Sequence, residues 1–254
     1  MVTAAVLGLP AAALVALVVV FVFGGVVKGV TGVGLPLVLV PLATQFVQVP
    51  VAVALVSVSM VVTNIVQSLE GGHTGKAIHH LLPIMFPLIV GSIIGTHLLI
   101  SIDQRRLHLI IGITFLFLAM LLLCLPRVRI SPRTARWSGP FVGLGSGVLG
   151  GMSAIFGPPM IAYLVSSGVD PDTFVKHMAI LAFTAAVTMI TVLGGSGAMS
   201  GGDFAMSALA VIPIQLGMPL GRWLRARISP NLFRILVLVV LAASGIDMLR
   251  RALF

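Results

Sequence analysis

Two stretches rich in glycine and proline carry the side chains that are best suited to bind a ligand. The first, residues 24–36, contributes Lys28, Thr31, Gly32, Gly34 and Pro36. The second, residues 147–159, contributes Gly151, Ser153, Gly157, Pro158 and Pro159. Glycine and proline each cost helix stability, so both stretches are predicted to break a helix. Their polar groups are the first candidates for a binding site.

The chemistry that these stretches offer is hydrogen-bond donation to an anion. Backbone N–H groups at a helix start carry partial positive charge and bind anions, and Lys28 adds an ammonium group. Neither stretch contains Asp or Glu, which a cation site of the usual kind would need. Pro36, Pro158 and Pro159 lie where a helix restarts, so we assign them to helix breaking or gating. The residues therefore predict a small anionic substrate.

Several candidates also have a simpler structural explanation. Lys28 either contacts the substrate or extends to the membrane interface as an anchor. Thr31 and Ser153 either contact the ligand or cap the helix that follows. Asn64 and His177 complete the predicted substrate-binding set. The alternative for Asn64 is an interhelical hydrogen bond, and for His177 it is an interfacial histidine rather than a proton relay.

The composition places these stretches inside a membrane. Hydrophobic residues make up 59% of the 254 residues, charged residues only 8%, and the mean hydropathy is +1.20. A soluble domain needs about 25% charged residues. The apolar runs lack strand alternation and reach the ~20 residues of a spanning helix. We therefore predict an all-α polytopic membrane protein, with spans near residues 4–23, 50–69, 81–100, 107–125, 140–149, 175–194, 204–223 and 232–249.

The second half of the chain repeats the pattern of the first. A shift of 126 residues places Gly91 and Gly95 on Gly217 and Gly221, a spacing that also suits close helix packing. A shift of 122 residues places residues 29 and 31 on residues 151 and 153. We predict one domain, 1–254, with repeat 1 at 4–125, a basic loop at 126–136 and repeat 2 at 137–251.

The repeats define the predicted architecture around the two breaks. Each half has four spans and one short broken or re-entrant segment, the first of them at residues 34–47. The total is eight or ten crossings, depending on whether the short segments cross. Basic loops divide more unevenly between the two sides in the ten-crossing arrangement, which favours inverted repeats. Internal repeats with interrupted helices at matching positions indicate a secondary transporter whose site lies near the midplane.

Charge and cysteine content limit the partners. The net charge of +9 would suggest nucleic acid in a soluble domain. Here basic residues cluster in loops, as expected for cytoplasmic retention, with substrate steering as the alternative; the loop cations are Arg127, Arg129, Arg133 and Arg136. Cys124 is the single cysteine, so we expect no metal and no cofactor. The expected partners are the lipid bilayer, a small anion and, as a possibility, a second copy of the chain, without nucleic acid.

Two other classes of function remain as alternatives to transport. The sequences Gly145-Ser146-Gly147 and Gly195-Ser196-Gly197 resemble intramembrane serine hydrolases, in which a buried serine pairs with a histidine such as His177. No oxyanion-hole pattern surrounds either serine, and we predict no enzyme. The other alternative is a non-transporting membrane receptor or assembly component.

The two breaks resemble the signatures of a known transporter family. Lys28-Gly29-x-Thr31-Gly32-x-Gly34-x-Pro36 is similar to the first signature of the TauE/SafE (TSUP) family. Residues 147–159, followed by Tyr163-Leu164, are similar to the second, and the likeness extends over essentially the whole chain. The resemblance implies export of a small anion, particularly sulfite, a sulfonate or a related organosulfur compound. It also implies a multi-pass location in a bacterial inner (plasma) membrane.

Overall fold

The regular structure of the chain is helical throughout the described residues. The computed structural model describes residues 6, 8–31, 35–69, 74–124, 132–169, 171–224, 227 and 230–253. In chain order the helices are α1 (Ala11–Thr31), α2 (Leu35–Ala43), α3 (Val49–Leu69), α4 (Thr74–Ser101), α5 (Gln104–Cys124), α6 (Pro132–Ser153), α7 (Gly157–Ser166), α8 (Pro171–Gly195), α9 (Gly201–Leu209), α10 (Val211–Leu224) and α11 (Pro230–Leu253).

The length and hydropathy of the helices confirm an all-α polytopic membrane protein. Within the described residues, five segments are long and apolar enough to cross a bilayer: Ala11–Val30, Val49–Leu69, Gly75–Ser101, Thr173–Gly195 and Gly201–Leu224. The predicted spans at 107–125 and 232–249 are the long helices α5 and α11. The short helices α2 and α7 have nine and ten residues, roughly 15 Å each, and are too short to cross alone.

The glycine-rich stretches are helical over most of their length, so the predicted extent of both breaks is wrong. Helix α1 continues through residues 24–31, and α6 continues through residues 147–153. Four of these glycines lie against the backbone of a neighbouring helix, where a larger side chain does not fit: Gly25, Gly29, Gly147 and Gly151. The second interruption is confined to residues 154–156. Helix α1 ends at Thr31 and α2 begins at Leu35, and residues 32–34 lie outside the described residues.

Helices α4 and α6 approach each other closely at their glycines, where backbone meets backbone. A methyl group added to Gly91 or Gly95 of α4 would overlap the carbonyl oxygens of Leu144 or Val148 in α6. A methyl group on Gly151 of α6 would lie 2.5 Å from the carbonyl oxygen of Ser92. The Thr96 hydroxyl also donates to the Gly151 carbonyl across the contact, at 3.4 Å. The predicted packing role of Gly91 and Gly95 is therefore confirmed.

Helices α1 and α10 form a second contact of the same kind. A methyl group on Gly217 or Gly221 of α10 would overlap the carbonyl oxygens of Val22 or Val26 in α1. From the other side of the contact, Gly25 of α1 lies against the Ile214 carbonyl oxygen of α10. The predicted repeat relates the two contacts. A shift of 126 residues takes α4 to α10, and a shift of 122 residues takes α1 to α6. The internal repeat itself stays a prediction, but each predicted half supplies one helix to each contact.

The centre of the bundle is made by α3 and α8, which pack against each other. Residues 49–60 of α3 and 177–182 of α8 are all buried. A helix that is apolar on every side belongs in the interior of a bundle. Helix α2 is buried on nearly all sides as well and packs against α1, α3 and α11. The two short helices are therefore supported by buried, continuous helices.

Two further boundaries differ from the sequence prediction. Residues 132–136 of the predicted basic loop belong to α6, and residues 125–131 lie outside the described part of the chain. The predicted span 204–223 is divided at Ala210 into α9 and α10. Pro213 has no N–H to donate to the carbonyl four residues earlier, at Leu209, so the helix is weakened at this point.

Candidate functional site

Residues of both glycine-rich stretches line one cavity in the centre of the bundle. It has a volume of about 30 Å³, and its walls come from α1, α2, α3, the 154–156 segment, α7 and α8. The lining residues are Lys28, Leu35, Pro36, Leu37, Met60, Asn64, Ile155, Phe156, Gly157, Met178 and Ala182. The expectation that the two breaks face each other therefore agrees with the observed geometry.

Lys28 is the charged group of this cavity. Its side chain is only 3% exposed, and its Nζ donates to Asn64 Oδ1 at 2.8 Å. Within the part of the chain that the structure describes, no carboxylate forms an ion pair with Lys28. The interface-anchor alternative for Lys28 is thus wrong, because the side chain points into the bundle. A buried ammonium group with an amide oxygen as its partner retains the capacity to bind an anion.

Asn64 holds the ammonium group in place. Its Nδ2 donates to the Met60 carbonyl of its own helix at 2.7 Å, which leaves Oδ1 directed at Lys28. Because Lys28 lies on α1 and Asn64 on α3, this is an interhelical hydrogen bond, as the alternative for Asn64 predicts. The same residue lines the cavity, so it also lies within the candidate site.

The first residues of the two short helices form part of the cavity wall. Pro36 is the second residue of α2, and Pro158 and Pro159 follow Gly157 at the start of α7. All three prolines lie in the first turn of a short helix, the position predicted for Pro36 and Pro159, and their gating role stays a prediction. The two prolines of α7 remove two of its first N–H donors. The donors that remain at this end belong to Phe156 and Gly157, which both line the cavity.

Ser153 does not cap the helix that follows, and its predicted contact with the ligand stays a prediction. Its hydroxyl donates to the Leu149 carbonyl at 2.7 Å and accepts from the Ile155 N–H at 3.2 Å. The residue before α7 is Phe156, and no side chain caps that helix. The Ser153 hydroxyl instead bonds to backbone groups at the end of α6, and the residue does not line the cavity. Its hydroxyl proton already has an acceptor.

Other predicted site residues lie outside the cavity or outside the described positions. Gly151 is buried in the α4–α6 contact. His177 is 5% exposed and stacks on His80 of α4 with 5.9 Å between ring centroids, so its side chain is buried against α4. Thr31 is the last residue of α1, but its side chain is not among those described, nor is that of Pro158. The predicted positions Gly32 and Gly34 lie outside the described residues.

The second break begins at a strained residue, Ala154. Its φ of 59° lies in the left-handed region, and its side chain is fully buried. This conformation costs a residue with a Cβ about 1–2 kcal/mol. The turn directs Ile155 and Phe156 into the cavity wall before α7 begins.

We expect Ala154→Gly to raise the free energy of unfolding by up to about 1 kcal/mol, because removal of the left-handed strain outweighs the added chain entropy. Ala154→Val should lower it by about 2 kcal/mol or more, since a β-branched residue tolerates this φ poorly. Thermal unfolding in detergent measures both. Equal melting temperatures for the two variants would contradict a left-handed residue at this position.

Comparison with known proteins identifies the family. The family model "Sulfite exporter TauE/SafE" matches residues 16–248, nearly the whole chain. The chain belongs to the TauE/SafE family. No curated protein and no solved structure matches it. As a TauE/SafE protein it is a multi-pass membrane transporter, and the resemblance seen in its two break motifs is confirmed.

Sequence reasoning missed most of the walls of the cavity in this TauE/SafE protein. Met60, Met178 and Phe156 line it beside Lys28, although none of them is polar. A partial signal was present for one of them. Met60 lies one helical turn before the predicted site residue Asn64, so the two share a helix face. Nothing in the sequence indicated which face would meet Lys28.

Neither serine motif of this TauE/SafE protein forms the pair that a serine hydrolase needs. Ser146 is buried, and its hydroxyl has no hydrogen-bond partner among the described residues. The Ser196 hydroxyl donates to the Leu193 carbonyl at 3.1 Å. A search of the described positions also finds no group of three or more His, Cys, Asp or Glu residues that would hold a metal ion.

Proposed function

We propose that this TauE/SafE protein is a secondary transporter that exports a small organosulfur anion, such as sulfite or a sulfonate. The substrate binds between the two helix interruptions. The observation that carries the proposal is the Lys28 ammonium group, buried at 3% exposure in a cavity shared by both breaks, with Asn64 Oδ1 as its partner. In a bilayer such a cation is stabilised most by an anion that replaces its lost hydration.

The charge and lining of the cavity favour a monovalent substrate with one polar end. Lys28 supplies one positive charge, and the Asn64 amide and the N–H groups of Phe156 and Gly157 are dipoles that orient an oxyanion. The remaining lining side chains are apolar, among them Met60 and Met178. A sulfonate group would bind at Lys28 with its organic substituent against the methionines. A dianion would leave one charge without a counter-charge, so sulfite would bind in its monovalent form, hydrogensulfite.

Transport requires the cavity to open, because its present volume does not admit the substrate. About 30 Å³ holds one or two water molecules, whereas a sulfonate has at least five heavy atoms. Methionine side chains rotate with little cost, so Met60 and Met178 are suited to make room. We infer that the structure represents a closed state, with access to each side of the membrane gained by movement around α2 and α7. The site then follows the alternating-access scheme of repeat transporters.

The test is anion flux into proteoliposomes of the purified chain, with protein-free liposomes as the control. We expect saturable flux of methanesulfonate and of hydrogensulfite, and flux of sulfate at least about tenfold slower, since its second charge lacks a counter-charge. Export from a bacterial inner membrane predicts the same preference in everted vesicles. Absence of saturable flux for every anion, from a protein that remains folded, would favour the receptor or assembly role.

A further inference from the structure

A cleft lined by basic side chains lies outside the cavity, where the start of α5 meets the end of α11. These two helices pack together, and Arg105 Nε donates to the Ala252 carbonyl at 2.7 Å. The first turn of α5 therefore lies beside the last turn of α11. An open cleft of about 400 Å³ separates them, and it is lined by Gln104, Arg105, His108, Arg251, Ala252 and Leu253.

The cleft carries more positive than negative charge. The Asp247 carboxylate is shared by two guanidinium groups, with contacts of 2.9 Å from Arg250 and 2.8 Å from Arg251. Arg251 also donates to Gln45 Oε1 at 3.1 Å, which holds its guanidinium group across the end of α2. Arg105 uses Nε for a carbonyl oxygen and forms no ion pair within the described residues. Its terminal nitrogens remain available as the planar fork that suits a phosphate.

The surface next to the cleft is apolar along both helices. Leu109 and Ile113 follow Arg105 at intervals of one turn on α5, and they are 38% and 54% exposed. On α11, Ile246 lies two turns before the cleft residue Leu253, and each is 61% exposed. Residues spaced by four or seven share a helix face, so both apolar rows begin at the cleft and run along α5 and α11.

The sequence predicts that α5 and α11 span the membrane. Arginines at the ends of two such helices, above exposed apolar rows, match the layout of a phospholipid, with its phosphate at the interface and its chains in the hydrocarbon. We propose that this cleft binds the phosphate group of an anionic phospholipid through Arg105 and Arg251. The acyl chains lie along the rows of Leu109 and Ile246. The proposal is independent of the substrate site, since it concerns neither Lys28 nor transport.

The test measures binding of short-chain phosphatidylglycerol to the purified full chain by native mass spectrometry. Phosphatidylcholine and glycerol phosphate are measured in parallel. Arg105→Gln is compared with Arg106→Gln, a matched control one residue away. Arg106 is 81% exposed, pairs with Asp103 at 3.1 Å and does not line the cleft. Both variants lose the same charge, so any difference between them comes from position.

We expect the unmodified chain and Arg106→Gln to bind phosphatidylglycerol equally well and more tightly than either other ligand. Arg105→Gln should bind it about tenfold more weakly, the loss expected for a charge-assisted hydrogen bond. Equal losses in the two variants, or equal affinity for phosphatidylcholine, would overturn the proposal. Equal affinity for glycerol phosphate would overturn the proposal that the ligand is a lipid, and would indicate a soluble phosphate ester instead. The comparison of three ligands on the unmodified chain remains decisive if Arg105→Gln fails to fold.

Discussion

Replacement of Lys28 by methionine is expected to lower the affinity for the transported anion by about two orders of magnitude or more. Removal of one partner from a buried ion pair costs about 3–5 kcal/mol, and 1.36 kcal/mol corresponds to a factor of ten. The anion in the Lys28→Met variant would meet an apolar cavity with the Asn64 amide as its polar side chain. The concentration dependence of flux in proteoliposomes measures the change.

The same substitution is expected to leave the substrate-free protein at least as stable as before. Lys28 is a buried cation in the absence of substrate, and an apolar side chain of similar size removes its desolvation penalty. One opposing effect is the loss of the hydrogen bond to Asn64 Oδ1, worth about 1 kcal/mol. The double variant Lys28→Met/Asn64→Leu removes that orphaned oxygen. Melting temperature in detergent, measured without anion, separates stability from affinity.

Lys76→Met is the matched control, because Lys76 is exposed at the start of α4 and the charge change is the same. We expect it to transport with unchanged affinity. Unchanged affinity in Lys28→Met as well would show that the substrate binds elsewhere. A Lys28→Met protein that fails to assemble would contradict the stability argument.

Substitution of Gly147 by valine should destabilise the fold by about 3 kcal/mol or more. A Cβ at this position overlaps the carbonyl oxygen of Leu88, and Ser92 N would lie 2.8 Å from it. Backbone atoms of a helix cannot rotate away as a flexible side chain does, so α4 and α6 would have to separate. Overpacking of a core costs about 1–3 kcal/mol even when side chains adjust. Thermal or denaturant unfolding of the purified protein measures the loss.

Gly145→Val supplies the control on the same helix. Gly145 lies two residues away, on an exposed part of α6, and nothing lies within 4 Å of a Cβ there. We expect a change of less than about 1 kcal/mol, since helix propensity alone distinguishes the two residues. Gly25→Val should match Gly147→Val if the repeat is real, because its Cβ overlaps the Ile214 carbonyl oxygen. Comparable stability of Gly145→Val and Gly147→Val would contradict the close contact.

The membrane class, the helical architecture and the glycine contacts were predictable because each depends on local sequence. A chain with so few charged residues has no soluble surface, and long apolar runs form helices in lipid since only helices satisfy their own backbone there. The spacing of Gly91 and Gly95 places both on one face whatever the partner is. The extent of the breaks was not predictable in the same way. Glycine weakens an isolated helix, yet here it allows α1 and α6 to approach their neighbours.

For the candidate site, the sequence by itself determined that both breaks are rich in donors and free of acids, and that Lys28 lies within one of them. The tertiary structure decided the direction of that lysine, because only the packing of α1 against its neighbours distinguishes an interfacial ammonium group from a buried one. It likewise decided that Asn64, Met60 and Phe156 share the cavity whereas Ser153 does not. Helical periodicity assigns a residue to a face, but the helix that meets that face is set by the packing of the whole bundle.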